Sequence, residues 1–387
     1  MPNASTLCSP SVNQPSRRSF LRLAGLAAAL PAITEGHMAW AAVREMEVTA
    51  ALDPDKAVMI NANENPLGPC AAAIAAIDKS ARNGGRYDPN NDYEDLFATF
   101  GKAHKLPLNS FTIYAGSSDP LQFAVMAFTG KDKPYVTADP SYEAGMVAAQ
   151  AAGAPILKVP LTPTYAHDVK AMVAASPNAG LIYICNPNNP TGTLTAKEDI
   201  LWALQHKPKG TILLIDEAYI HLSDAPDCLD LVRAHQDVIV LRTFSKVYGM
   251  AGIRCGAAIA RPDLLAKLRM YGDNPLPITA VTAASASLKD TDLVPTRRKI
   301  IADTRNQTFA WLTAKGYKFI PSVSNCFMID TGRPGKQVIE AMAAKNVFIG
   351  RTWPIWPNYV RVTVGTPAEM AAFQTAFAEV MSEPAKA

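Results

Sequence analysis

The run Ile212-Leu-Leu-Ile215 is apolar at every position. A strand turns successive side chains to opposite faces, so such a run suits a strand covered on both sides, as in a parallel sheet. Short β-rich runs recur along the chain at Phe111–Tyr114, Pro134–Val136, Ala154–Val159, Leu181–Cys185, Thr211–Ile215, Val238–Leu241 and Cys255–Ala260. Helical patterns at Pro120–Phe128, Tyr142–Ala152, Asp168–Ala175, Lys197–Gln205 and Asp263–Met270 separate them. The alternation predicts a doubly wound α/β fold, a large domain with a mostly parallel seven-stranded sheet between helices. From about Ile278 the texture changes to a smaller α+β C-terminal domain. It has a long helix through Arg297–Lys315, a strand at Cys326–Asp330, a helix at Gly335–Lys345, and paired strands near Val347–Ile349 and Tyr359–Val364. The expected division is a leader over 1–42, an irregular N-terminal arm over 43–70, the large domain over 71–277 and the small domain over 278–387.

Open α/β sheets bind ligands beyond the carboxyl ends of their strands. Polar residues gather at those ends: Ser117 and Ser118 after Ile113, Tyr142 after Val136, Asn189 after Ile184, Asp216 after Ile215 and Lys246 after Leu241. Lys246 can form an imine with an aldehyde cofactor and then move the proton of a substrate α-carbon. Asp216 can hold a protonated ring nitrogen, since opposite charges about 4 Å apart at an effective dielectric near 20 attract by roughly 4 kcal/mol. Tyr219 and Asn189 can hydrogen-bond a ring 3′-oxygen. The Ser117-Ser118-Asp119 run enters a helix N-terminus, where free N–H groups and the helix dipole favour a phosphate. Thr243, Ser245 and Arg254 can complete that cup, and Tyr142 can lay its ring over the cofactor. Each residue also has a plainer reading: a solvated lysine, a strand-end carboxylate capping a turn, a helix N-cap, a turn cluster at Asn186–Gly192. Together they read as a site for pyridoxal 5′-phosphate.

Arg361 can capture a substrate carboxylate or phosphate through two parallel hydrogen bonds, and Arg351 can add a second anchor. Trp353 and Trp356, between prolines, form an aromatic tip that either lines the substrate mouth or simply packs. If it lines the mouth, the donor is an amino acid with an aromatic or otherwise bulky side chain.

Composition narrows the partners. The chain has 387 residues, 49% of them hydrophobic and 18% charged, as in a globular protein. Arg17, Arg18 and Arg22 against Glu35 put most of the small positive charge in residues 1–41. The nearly neutral remainder gives no electrostatic reason to expect nucleic acid, and small molecules are the better expectation. The six cysteines and six histidines follow no disulfide or metal-ligand spacing, so no metal is needed. No GxGxxG or GxxxxGK[ST] element supports a plain nucleotide-binding protein. Ser16-Arg-Arg-Ser-Phe-Leu-Arg22, the apolar stretch Leu23–Ile33 and Ala39-Trp-Ala41 resemble a twin-arginine export signal. The alternative is an amphipathic first helix. The apolar stretch falls short of the roughly 20 residues a membrane span requires, so no stable membrane anchor is expected. The expected location is periplasmic or exported, and otherwise cytoplasmic.

The motifs Asn63-Glu-Asn-Pro-Leu-Gly-Pro69, Pro187-Asn-Asn-Pro-Thr-Gly192, Asp216-Glu-Ala-Tyr219, Thr243-Phe-Ser-Lys246, Ala251-Gly-Ile-Arg254 and Val360-Arg-Val-Thr-Val-Gly-Thr366 occur in this order. On these, from about Asn61 to Thr366, the chain resembles the fold type I pyridoxal phosphate enzymes. The resemblance is to class I/II aminotransferases of the histidinol-phosphate aminotransferase group. It implies a ping-pong exchange of an amino group between an amino acid, or a histidinol phosphate-like amine, and a 2-oxo acid such as 2-oxoglutarate. It also implies a homodimer in which Tyr87 reaches the partner's cofactor phosphate. Arg361 would bind the substrate carboxylate or its phosphate equivalent, Arg351 the distal anion, with Asn325 and Asn65 near the substrate. Three features depart from the pattern: the order Tyr87-Asp-Pro, Pro120 after the Ser-Ser-Asp run, and the export leader. Rival readings are a lyase, decarboxylase or oxidase on the same scaffold, or a protein that binds the cofactor or an amino acid without turnover.

Overall fold

The computed structural model describes residues 57–384; the leader lies outside them. The strands are β1 (Val58–Ile60), β2 (Phe111–Tyr114), β3 (Tyr135–Asp139), β4 (Ile156–Pro160), β5 (Leu181–Cys185), β6 (Ile212–Asp216), β7 (Val238–Thr243), β8 (Gly256–Ala260), β9 (Lys318–Ile320), β10 (Cys326–Asp330), β11 (Val347–Ile349) and β12 (Tyr359–Thr363). All seven expected strands of the large domain join one sheet in the order β2-β8-β7-β6-β5-β3-β4. Strands β3 to β7 run parallel, and β8 runs antiparallel to both of its neighbours.

The period-two alternation of the central strands divides the interior into two cores. Leu181, Tyr183, Cys185, Ile212, Leu214, Ile239 and Leu241 face one way, toward Leu121, Val125 and Leu265 of the helices Ser118–Phe128 and Pro262–Arg269. Ile182, Ile184, Leu213, Ile215, Val238 and Val240 face the other way, toward Met172, Ile200 and Leu231. Every residue of β5, β6 and β7 is buried. Apolar runs are therefore what this sheet requires, and its buried polar exceptions are partnered: Arg242 donates to Glu217 Oε2 at 2.8 Å, and Asp216 accepts from Tyr183 Oη at 3.0 Å.

Four helices carry weaker signals than those of the expected list: Ala71–Ala81, Asp92–His104, Ile278–Lys289 and Pro367–Ser382. The first and third pack on each other, and Asp92–His104 also packs on Ile278–Lys289. Ala73, Ala280, Ala283 and Ala284 are wholly buried, so small side chains let these backbones approach. Pro367–Ser382 opens with a reciprocal cap in which Thr366 accepts from the Glu369 backbone and Glu369 from that of Thr366.

The second sheet is antiparallel in the order β12-β10-β9, with Met328 opposite Arg361. One expected pairing is corrected here. β11 does not pair with β12; it runs parallel to β1, with Val58 opposite Val347. The arm, read from sequence as irregular, thus supplies a strand. Residues 350–358 turn back on themselves through Trp356 N–H to Trp353 C=O (2.9 Å), and the flanking chain meets through Gly350 N–H to Arg361 C=O (2.8 Å).

Gly249 closes the loop after Lys246. Its φ is +67°, and a Cβ there would run into the carbonyl oxygen of Gly68 in the arm. Gly249→Ala is therefore expected to cost about 1–3 kcal/mol of stability. Urea unfolding should show a lower midpoint; an unchanged midpoint would mean that the arm is not held against this loop.

Candidate active site

The carboxyl ends of the central strands are level, with Cys185 opposite Asp216 and Asp216 opposite Leu241. At this edge lies a cleft of about 290 Å³. Ser117, Ser118, Tyr142, Asn189, Asp216, Tyr219, Thr243, Ser245, Lys246 and Arg254 all line it. Ala62 and Glu64 of the arm and Ala251 and Gly252 close its sides. Of the other expected cofactor residues, Asp119 sits behind the lining in the first helical turn, and Tyr87 is 82% exposed on the surface.

Lys246 is buried, and its Nζ donates to the Asn63 carbonyl oxygen at 2.9 Å. The ammonium lies 5.2 Å from the centre of the Tyr219 ring. Asn63, which the sequence reading placed in a motif without a role, has a left-handed backbone with φ 53°. Its Nδ2 donates to Tyr219 Oη at 3.1 Å, and its Oδ1 accepts from Thr363 Oγ1 at 3.1 Å. Asn65 differs from its expected substrate role. Its Nδ2 donates to the carbonyls of Lys246 and Val247, both at 3.0 Å, so the side chain braces the lysine's loop and stays outside the cleft lining.

Asp216 is buried, accepting from Tyr183 Oη at 3.0 Å and from the Ala218 N–H at 3.1 Å. Burial pushes its carboxyl up to about 6, against the pull of the two hydrogen bonds and of the Lys246 charge. Tyr183 had no functional reading in the sequence, where it was one apolar strand position among others. A carboxylate in this position calls for a cation, and a protonated pyridine nitrogen supplies one.

The opposite end of the cleft suits a phosphate. Gly116 has φ +94°, and a Cβ there would overlap the Arg254 guanidinium; a Cβ on Gly256 would meet the backbone of Gly116 and Ser117. Two glycines thus let the arginine and the serine loop close together. Arg254 Nη1 reaches Ser245 Oγ at 3.3 Å and the Ala251 carbonyl at 2.9 Å, and Thr243 Oγ1 reaches Ser245 Oγ at 3.0 Å. Ser117 stands at the N-cap without a side-chain capping bond, which leaves its hydroxyl for the cleft. Burial pushes the Asp119 carboxyl up, with the Arg254 charge drawing it down. The buried acid at one end and the cradle at the other fit pyridoxal phosphate.

Arg361 of β12 is fully buried, donating to Asn189 Oδ1 at 2.9 Å and to the Asn61 carbonyl at 2.7 Å. Asn325 Nδ2 donates to the carbonyls of Asn63 and Glu64, both at 3.1 Å, while its buried Oδ1 has no partner among the described residues. Arg351 makes two parallel bonds to Glu143, each 2.8 Å. Trp353 is only 1% exposed and packs with Ile320 and Met328, so of its two sequence readings the structure supports packing.

The buried acid has a measurable consequence. Without a cation on it, Asp216 binds its proton more tightly in the folded chain than at its ordinary value near 3.9. The stability it contributes is full below about pH 4 and is lost as pH rises through about 6. In cofactor-free protein, the stability of Asp216→Asn relative to wild type should rise by about 3 kcal/mol over that window. Denaturant titrations at several pH values read this; a pH-independent difference would show that Asp216 does not titrate there.

Residues 55–377 match the family model "Aminotransferase class I and II". The chain is 34% identical over 331 residues to the histidinol-phosphate aminotransferase of Symbiobacterium thermophilum, covering 84% of this chain and 91% of the relative. It is 35% identical over 337 residues to the aromatic amino acid aminotransferase of Rhodococcus jostii, covering 85% and 93%. Among solved structures, histidinol-phosphate aminotransferase from Sinorhizobium meliloti in complex with pyridoxal-5′-phosphate superposes with a TM-score of 0.80 at 25% identity, covering 95% of this chain and 99% of that one. These relatives favour amino transfer over the lyase, decarboxylase, oxidase and non-catalytic readings. The chain belongs to the class I and II aminotransferases and is a pyridoxal phosphate-dependent enzyme of that family.

Proposed function

We propose that this enzyme transfers the amino group of a ring-bearing donor, an aromatic amino acid or an imidazole amine such as histidinol phosphate, to a 2-oxo acid such as 2-oxoglutarate. The observation that carries the reading is the cleft itself, where Lys246 and Asp216 share a buried pocket whose rim residue Asn189 is bonded to Arg361. The names of its relatives support a ring on the donor; the buried Trp353 does not contribute to that choice.

The bound cofactor supplies an exchangeable carbonyl and an electron-withdrawing ring. Lys246 takes the proton from the substrate α-carbon and returns it during exchange. Asp216 would hold the ring nitrogen protonated, and Tyr219 and Asn189 would hydrogen-bond the 3′-oxygen. Ser117, Ser118, Thr243, Ser245 and Arg254 would hold the phosphate, and Tyr142 would cover the ring. Arg361 orients the substrate carboxylate, and Asn325 holds the Asn63 and Glu64 carbonyls beside it through Nδ2. The enzyme acts as a homodimer, a reading supported by the 82% exposure of the large aromatic side chain of Tyr87. The Arg17-Arg18 leader directs the folded chain out of the cytoplasm. Among the described residues no helix is long and apolar enough to cross a membrane.

A leaderless protein assayed with 2-oxoglutarate against a panel of donors should favour phenylalanine, tyrosine or histidinol phosphate over aliphatic amino acids. Equal turnover of aliphatic donors would remove the ring preference. Lys246→Ala should lower turnover by at least about a hundredfold, the low end of what a positioned proton-transfer group contributes. Tyr87→Ala should weaken cofactor retention without a loss of thermal stability in the isolated subunit, checked by equilibrium dialysis and melting.

A further inference from the structure

The ion pair between Arg351 and Glu143 lies one residue from the cleft wall, because Glu143 follows Tyr142, which lines it. Both guanidinium nitrogens Nη1 and Nη2 meet a carboxylate oxygen at 2.8 Å. Arg351 Cζ lies 4.3 Å from the Trp353 ring centre, and Arg361 Cζ lies 5.5 Å from the same centre. Arg351 also accepts the Arg361 backbone N–H at its carbonyl (3.3 Å), so the two arginines are neighbours. Glu143 stands at the N-cap of the helix Ala144–Ala151 but makes no side-chain capping bond. Its carboxylate is directed at Arg351 instead.

We propose that Glu143 is a specificity-determining residue: it acts as an internal counter-ion to Arg351 that an anionic group on the substrate side chain must displace. This rests on the reading of the cleft as a site for amino acids and 2-oxo acids. A two-pronged guanidinium matches a carboxylate or phosphate, and Glu143 fills that fork in the absence of either. The pair is mostly buried, with side-chain exposures of 16% and 25%, and its two-pronged geometry is among the stronger kinds of ion pair. An incoming carboxylate or phosphate replaces Glu143 by offering Arg351 the same two-pronged partner, and breaking the existing pair costs it part of its own binding. An uncharged ring leaves the pair intact and meets no uncompensated charge. Both classes of side chain are accommodated, and Glu143 handicaps the anionic one.

The test compares the cofactor-loaded wild-type enzyme with Glu143→Gln, which keeps the shape and removes the charge. The ratio of kcat/KM for 2-oxoglutarate to that for an aromatic substrate should rise about tenfold, with the change in KM and not in kcat, as for an interaction lost equally from ground and transition states. Calorimetric titration with succinate, a dicarboxylate that cannot exchange an amino group, should show about tenfold tighter binding. In the double variant Glu143→Gln/Arg351→Gln both gains should vanish. An unmoved ratio together with unchanged succinate affinity would overturn the proposal, as would a gain that survives loss of Arg351. Failure of wild type to use any aromatic donor would sink the ring-bearing substrate reading alone, because the succinate titration still reads the pair.

Discussion

A carboxylate at the end of an all-apolar strand is costly to bury unless a positive charge meets it. Asp216 is in that position, with two hydrogen bonds and a raised proton affinity. The sheet around it excludes water because every residue of the three central strands is covered. The same covering gives a ring cation beside Asp216 its strength, since charges interact more strongly away from solvent. The large-domain fold and the electronic work of the site therefore depend on one arrangement: two hydrophobic cores that meet at the edge of a parallel sheet.

The second requirement is a fixed position for Lys246. Asparagines at the junction of the two sheets meet it. Asn63 offers its carbonyl to the lysine and its side chain to Tyr219 and Thr363, while Asn65 grips the backbone just after the lysine. Asn325 holds the carbonyls of Asn63 and Glu64, and Arg361 links Asn61 to Asn189. An asparagine adopts the left-handed backbone at Asn63 more readily than most residues, since a short polar side chain tolerates it. The arm, the small sheet and the lysine loop thus form one hydrogen-bonded unit. A shift of the arm would move the proton-transferring amine.

The parts of the fold that could be read from the chain were those with a strong local period. β2, β5 and β10 match their expected spans residue for residue, because their apolar runs end in turn-forming or polar residues. β3 and β4 begin later than expected, after Pro134 and Pro155, which lack an N–H to give to a ladder. The helices Ala71–Ala81 and Ile278–Lys289 were harder to see because alanine-rich stretches offer little contrast between faces. The pairing of β1 with β11 could not be read locally, since its two strands lie at opposite ends of the described chain.

Residue identity by itself determined the chemistry of the cleft: a polar group lies at or a few residues past the carboxyl ends of β2, β3, β5, β6 and β7, and strands that run the same way carry these groups to one edge. Tertiary structure decided which hydrogen-bonding capacity remains for a ligand. Lys246 meets Asn63 across a separation of 183 residues, and Thr363 meets it across 300. Asn65 is consumed by backbone carbonyls, Arg351 is paired with Glu143, and Trp353 is sealed in a core. Such outcomes depend on groups distant in sequence competing for the same donors and the same space, and only the packed chain brings the competitors together.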